Sequence, residues 1–200
     1  MTTAVAAPGT ARDADVSSPP MLDEIRTERL VLRSLRASDA DHVHAYRSDS
    51  EVARFQSWDA QSLDEVRAFI AEHSAVNYDE PGWYQLAIAR RSTDRVVGDL
   101  GVHILEHDIR QVELGFTLAP NAQGQGYAAE AVRGMLGHLF VALGKHRVIA
   151  STDPRNERSI ALLRRVGFRL EAHHRESLWF KDAWADDLIF ALLRRDWPSA

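Results

Sequence analysis

Between Gln111 and Leu143 the chain switches from a strand-like to a helix-like hydrophobic period across a loop of small residues. Val112, Leu114, Phe116 and Leu118 alternate with Gln111, Glu113, Gly115 and Thr117, as in a strand with one buried face. Ala131, Val132, Met135, Leu136, Leu139, Phe140 and Leu143 then follow helical spacing, and Gly144 suits the C-terminal cap of a helix beginning near Gly126. Between them lies Pro120-Asn121-Ala122-Gln123-Gly124-Gln125-Gly126-Tyr127-Ala128. A strand that passes into a helix through a glycine turn points to a mixed fold, and it sets a row of backbone N–H groups at a helix N-terminus, where anions bind.

The remaining segments fill out that fold. Arg29–Arg33 alternates as a strand, and Ser38 with Asp41 has capping-box form, opening a helix toward Tyr46. Ser62 with Glu65 repeats the signal before Val66, Phe69 and Ile70. Trp83–Arg90 and Val96–Ile104 read as strands joined by Ser92-Thr93-Asp94. Arg147–Thr152 reads as a strand, Asn156–Val166 as a helix ended by Gly167, and Phe168–His173 and Asp187–Leu193 as strands. The order predicts an α+β (mixed α/β) domain with about seven strands and four helices, not a doubly wound parallel sheet. Residues 1–20, rich in Ala, Thr, Ser and Pro, read as a disordered tail, leaving 21–200 as one domain.

Composition excludes several function classes. A formal charge of −5 and a pI near 6.0 argue against nucleic-acid binding. The absence of cysteine excludes disulfides, thiolate metal sites and thiol nucleophiles, and fits a cytoplasmic protein. The chain has no apolar run near the ~20 residues a membrane span needs, so no membrane partner is expected. His42/His44 and His173/His174 lack a third ligand at metal spacing, so no metal is expected.

Four readings of the glycine loop compete. A Walker A loop fails because Gly144-Lys145 is followed by His146. Gly124, Gly126 and Ala129 satisfy a dinucleotide fingerprint, which would make the chain an NAD(P)-binding oxidoreductase, but Ala119 to Gln123 intervene after the strand. Gln123, Gly126 and Ala128 also satisfy Q/R-x-x-G-x-G/A, a cradle for a pyrophosphate, and a plain tight turn would need the same small residues.

The surroundings add a resemblance. Glu113-Leu114-Gly115-Phe116-Thr117-Leu118-Ala119-Pro120, the Gln123–Ala128 loop continuing Ala129-Glu130-Ala131, then Asn156, Ser159 and Arg165-Val166-Gly167-Phe168 resemble the GNAT superfamily of N-acetyltransferases. Ser48-Asp49-Ser50-Glu51-Val52-Ala53-Arg54 and Asp182-Ala183-Trp184-Ala185-Asp186 resemble its Rim-type branch, which acetylates ribosomal-protein N-termini. The likeness runs in order from about Arg29 to Trp197.

The resemblance implies a splayed sheet with acetyl-CoA between the strands before and after the long helix. Phe116, Thr117 and Leu118 would then offer main-chain hydrogen bonds to pantetheine, and Gln123, Gly124, Gln125, Gly126, Tyr127 and Ala128 would hold the pyrophosphate. Asn156 and Ser159 would meet the pantetheine arm, although Asn156 also suits an N-cap. Transfer would be direct, with a neutral amine attacking the thioester and a base accepting its proton. Glu113 is the first candidate base, followed by Asp99, His103 and Glu176. Many relatives place a tyrosine before the Gly-Phe corner to protonate the leaving thiolate; here Leu163 stands there, which leaves Ser159 or water. The expected acceptor is a protein or peptide N-terminal amine, with small amines (amino acid, polyamine or aminosugar antibiotic) or a non-catalytic acyl-CoA sensor as alternatives, and relatives suggest a homodimer. Trp58, Trp83, Trp179 and Trp184 could line an acceptor pocket or serve as core.

Overall fold

The alternating segments join into one eight-stranded sheet in a computed structural model that describes residues 24–198. The tail expected over residues 1–20 lies outside the described residues. In chain order the strands are β1 (Ile25–Arg26), β2 (Leu30–Ser34), β3 (Gly82–Arg90), β4 (Val96–Ile104), β5 (Gln111–Leu118), β6 (Arg147–Thr152), β7 (Arg169–Phe180) and β8 (Ala183–Leu193). The helices are α1 (Ala40–Arg47), α2 (Ser50–Ala53), α3 (Leu63–Glu72), α4 (Tyr127–Gly137) and α5 (Glu157–Val166). The sheet order is β1-β2-β3-β4-β5-β6-β8-β7, and β5–β6 alone is parallel among the described residues. A parallel neighbour requires a crossover, which α4 supplies.

Alternation along the strands sorts the side chains onto two cores. Leu86, Leu100, Leu114 and Val148 face α4 and α5, meeting Val132, Met135, Leu136 and Leu163. Ala87, Ala89 and Val96 face α1 and α3, meeting Val43, Tyr46, Val66 and Ile70. Burying a Leu, Ile or Phe in such a core contributes roughly 1.5–3 kcal/mol.

The sequence expectations hold in outline and shift in detail. The eighth strand is the two-residue β1, and the fifth helix is the four-residue α2, both too short to carry a period. The first helix begins at Ala40, because Ala37–Asp39 forms a 3-10 turn in which Asp39, not Ser38, receives the Arg36 N–H at 2.8 Å. Ser62 and Glu65 do form the expected capping box. The long helix leaves α geometry at His138 and finishes as a π turn through Ala142. β7 runs to Phe180, well past His173, and nearly all of it is exposed, so it shows no hydrophobic alternation.

Candidate active site

The parallel β5–β6 pair lasts three rungs: Gln111 opposite Arg147, Val112 opposite Val148, and Glu113 opposite Ile149. Beyond Glu113 each strand keeps only its outer partner. Leu114 to Leu118 stay paired with β4, while Ala150 to Thr152 stay paired with β8. The two strands therefore part, and a cavity of about 80 Å³ opens between them. Leu114, Gly115 and Phe116 form one wall, Ser151 and Thr152 the other. Asn156, Ser159 and Leu163 of α5 line it from one face of the sheet, and Phe55 and Gln56 from the opposite face. Side chains from both faces of the sheet thus meet at the gap.

At the α4 side stands the glycine loop. Gly124 and Gly126 have φ of +74° and +80°, a region L side chains rarely adopt. Gly126 is the N-cap of α4 with no side-chain capping bond, so the first N–H groups of the helix remain for an external acceptor. A Cβ at Gly124 would meet nothing within 4 Å, so the approach to the loop is open. The loop is held from behind. Gln123 Nε2 donates to Leu118 O at 3.2 Å, and Arg158 donates to Gln123 Oε1 at 2.8 Å. Gln125 Nε2 donates to Asn121 O at 2.7 Å, and Arg29 Nη1 donates to Gln125 O at 3.0 Å. Arg29 also pairs with Glu130 at 2.7 Å, tying the residue before β2 to α4. Uncapped N–H groups, open space and two positive-φ glycines fit a pyrophosphate.

Three expected residues meet at the gap. Asn156 caps α5 by accepting the Ser159 N–H at 3.2 Å and also lines the cavity, so both of its expected roles coexist. Ser159 lines it too, and Leu163 is only 1% exposed, presenting an apolar surface where a proton donor was expected from relatives. Phe116 and Leu118 lean toward the α4 core, and Thr117 is buried on the opposite face.

Glu113 sits on the last paired rung, at the vertex of the splay. Its carboxylate lies 3.5 Å from His103 Nδ1 on the adjacent strand. That is an ion-pair distance without hydrogen-bond alignment, and Nδ1 is otherwise unpartnered. The imidazole stacks on Trp83 with centroids 4.5 Å apart and planes within 11°. Trp83, His103 and Glu113 therefore form one row across β3, β4 and β5. Trp83 is half exposed at the β3 end of this row, whereas Trp58 packs against the guanidinium of Arg47.

Two other candidate bases are placed elsewhere. Asp99 is 1% exposed; Tyr46 Oη, Arg47 and Gln85 Nε2 all donate to its carboxylate, so it anchors structure. Burial, with the Asp99 charge second, pushes the Tyr46 phenol well above its usual range and keeps it a donor. Glu176 is an exposed residue at a bulge of β7, two strands beyond β6, with its N–H on Asp186.

Residues 29–169 match the acetyltransferase (GNAT) domain family. The chain belongs to the GNAT family. This GNAT protein is 29% identical to the uncharacterized N-acetyltransferase p20 of Bacillus licheniformis, over 89% of this chain and all of that one. It is 32% identical to the ribosomal protein uS5-alanine N-acetyltransferase of Escherichia coli, over 42% of this chain and 43% of that one. Its fold superposes on that of RimL, a ribosomal L7/L12 alpha-N-protein acetyltransferase in complex with coenzyme A, with a TM-score of 0.74. That likeness covers 86% of this chain and 98% of RimL at 19% identity, and speaks to fold. As a GNAT enzyme it is an N-acetyltransferase, and the family implies acetyl-CoA. The dinucleotide reading falls, since a doubly wound sheet needs several parallel neighbours and this GNAT sheet has a single parallel pair among the described residues.

Sequence reasoning missed Phe55 and Gln56, which follow a helix too short to detect, and Arg158, whose bond to Gln123 joins residues 35 apart. Among the described residues no three His, Asp or Glu side chains group as a metal site, and no helix is long and apolar enough to cross a membrane.

Proposed function

We propose that the protein transfers acetyl from acetyl-CoA to a primary amine, with a protein or peptide N-terminal amine as the leading acceptor. The observation that carries this is the gap that opens at Glu113, lined by Asn156 and Ser159 on one face and by Phe55 and Gln56 on the other, with the glycine loop tied to the same end of α5 through Arg158. Bound acetyl-CoA would supply the activated thioester. Residues Gln123 to Ala128 would hold the pyrophosphate through backbone N–H groups. The freed inner edge of β5 at Phe116 to Leu118 would hydrogen-bond pantetheine, and Asn156 and Ser159 would flank it.

The acceptor would enter from the Phe55 side. An α-amine has a pKa near ~8, so a proton must be removed before or during attack. Glu113 receives that proton, directly or through one water, with His103 alongside. Ser159 would pass a proton to the departing sulfur, since Leu163 has none to give, and regain one through water from Glu113. The N-terminal acceptor draws support from the partial match to the uS5-alanine enzyme, while the longer match to p20 specifies no acceptor. Leu163 in the cavity wall favours one other reading, an acyl-CoA sensor without turnover.

Titration calorimetry with acetyl-CoA, with NAD+ and NADP+ as controls, tests the binding half, and micromolar binding of acetyl-CoA alone is expected. Mass spectrometry of alanine- and serine-initiated peptides, spermidine and an aminoglycoside after incubation tests the rest. An N-terminal mass gain of one acetyl group is expected on a peptide. Tight acetyl-CoA binding with no acetylated amine would establish the sensor instead.

A further inference from the structure

On the face that looks toward α1, one rung of the sheet carries two glycines side by side. Gly101 of β4 stands opposite Gly115 of β5, and Gln85 of β3 completes the row. A Cβ at Gly115 would meet nothing within 4 Å, and Gly115 is also part of the cavity wall between β5 and β6. The row therefore sets the Gln85 amide and the Trp83 ring over Gly101, and leaves open space over Gly115 beside the reacting gap. The Trp83 ring lies 3.2 Å from where a Gly101 Cβ would sit.

Gln85 is not free to present either end of its amide to that space. Its Nε2 donates to Asp99 Oδ1 at 2.6 Å. Asp99 is buried, and Tyr46 Oη and Arg47 donate to its other lone pairs, so its oxygens act as acceptors. Reversing the amide would press two oxygens together at that distance. Chemistry thus assigns nitrogen to Asp99 and turns Oε1 outward, 3.1 Å from the position of a Gly101 Cβ. Among the described residues no donor reaches Oε1.

We propose that Gln85 Oε1 accepts one N–H of the incoming amine and so turns its lone pair toward the gap. This rests on the acetyl-transfer reading above. A neutral primary amine carries two N–H bonds and one lone pair. One N–H engages Gln85, the other faces the Glu113 side, and the lone pair is left for the carbonyl carbon. A secondary amine has one N–H and must give up one of these partners. The row therefore selects primary amines, and Asp99, buried beneath it, is a positioning residue that fixes the orientation of the selecting atom.

The test compares wild type with Gln85→Met, which keeps length but removes the oxygen, and with Gln85→Leu in case the first variant misfolds. The probes are an alanine-initiated peptide, the same peptide begun with N-methylalanine, and spermidine. Acetyl-CoA affinity by calorimetry serves as the control and should stay within about twofold. Acceptor KM should rise about tenfold, the loss expected for one hydrogen bond. The preference for the alanine peptide over its N-methyl counterpart should shrink in the variants, which a merely structural defect would not produce. Unchanged acceptor KM and unchanged preference, with acetyl transfer intact, would overturn the role of Gln85 alone. A wild-type protein that binds acetyl-CoA but acetylates none of the probes would overturn the acetyl-transfer reading and the Gln85 role with it.

Discussion

Lys181 reaches from the tip of the β7–β8 hairpin to Asp59, 2.8 Å away on the loop that follows α2. The same ammonium donates to the carbonyls of Ala53 and Trp58, at 3.0 and 3.1 Å. The hairpin turn that carries it has φ of +48° at Lys181 and +62° at Asp182, the left-handed pair a two-residue turn requires. Its three acceptors enclose the stretch that brings Phe55 and Gln56 to the wall of the cavity.

Lys181→Met should loosen that stretch without unfolding the domain. Asp59 is 91% exposed and contributes little, so the effect comes through the two carbonyl bonds, about 1 kcal/mol each. Trypsin should cleave after the exposed Arg54 several-fold faster in the variant, read by peptide mass. Equal cleavage rates would mean the loop holds itself.

Gly126→Glu should raise the acetyl-CoA dissociation constant by at least a hundredfold, since it sets bulk and negative charge at the N-terminus of α4. Gly126→Ala adds only the strain of φ +80°, about 1 kcal/mol, and should keep measurable affinity. Tight binding by the Glu variant would remove the pyrophosphate assignment.

Glu113→Gln should lower kcat on the order of a hundredfold while leaving acetyl-CoA affinity near wild type. The acidic limb of the pH–rate profile should move or vanish along with it. An unchanged profile would assign the proton to another group, with His103 at 3.5 Å the first to examine.

Arg47→Met should destabilise the protein by about 3–5 kcal/mol in urea unfolding, because it strands the buried Asp99 charge. Arg47 is 3% exposed and lies over the rings of Phe69 and Trp58, at 3.8 and 4.7 Å, so its stem and its charge are both committed. Pairing it with Asp99→Asn should recover part of the loss. Simple additivity of the two changes would show that they do not act as a pair.

Glu130 supplies a pH dependence. Burial alone would raise its carboxyl pKa, but hydrogen bonds from Thr27 and from the backbone and side chain of Arg29 outweigh burial and leave it lowered. A lowered carboxyl pKa contributes stability above the unfolded value, lost as pH falls through the folded value. Stability should therefore decline below about pH 4.5, and Glu130→Gln should flatten that decline. Parallel acid-unfolding curves for the two proteins would contradict this.

Much of the fold could be read because its strands are one-sided. Val112 to Leu118 alternate since one face of β5 meets α4 and the other does not, and the glycines of the loop announce themselves by number and place. The backbone of the candidate site was legible, at the left-handed turn of Gly126 and the N-cap of Asn156. The rest was hidden where it depends on neighbours far along the chain. Asp99 resembles a base in sequence, and only the arrival of Tyr46 and Arg47, more than 50 residues earlier, turns it into an anchor. Gln85 has no local signal, because its significance comes from the two glycines on adjacent strands.

The three-rung limit of the β5–β6 pair leaves an open seam inside the sheet rather than at its rim. Among the described residues, no strand pairs across the seam with the inner edges of Leu114–Leu118 and Ala150–Thr152. Pantetheine is itself an extended chain bearing amide groups, so it would occupy the place of a short additional strand. Substrate capture would then be a final step of sheet formation, and the amides along the seam should exchange with deuterium most slowly when acetyl-CoA closes it.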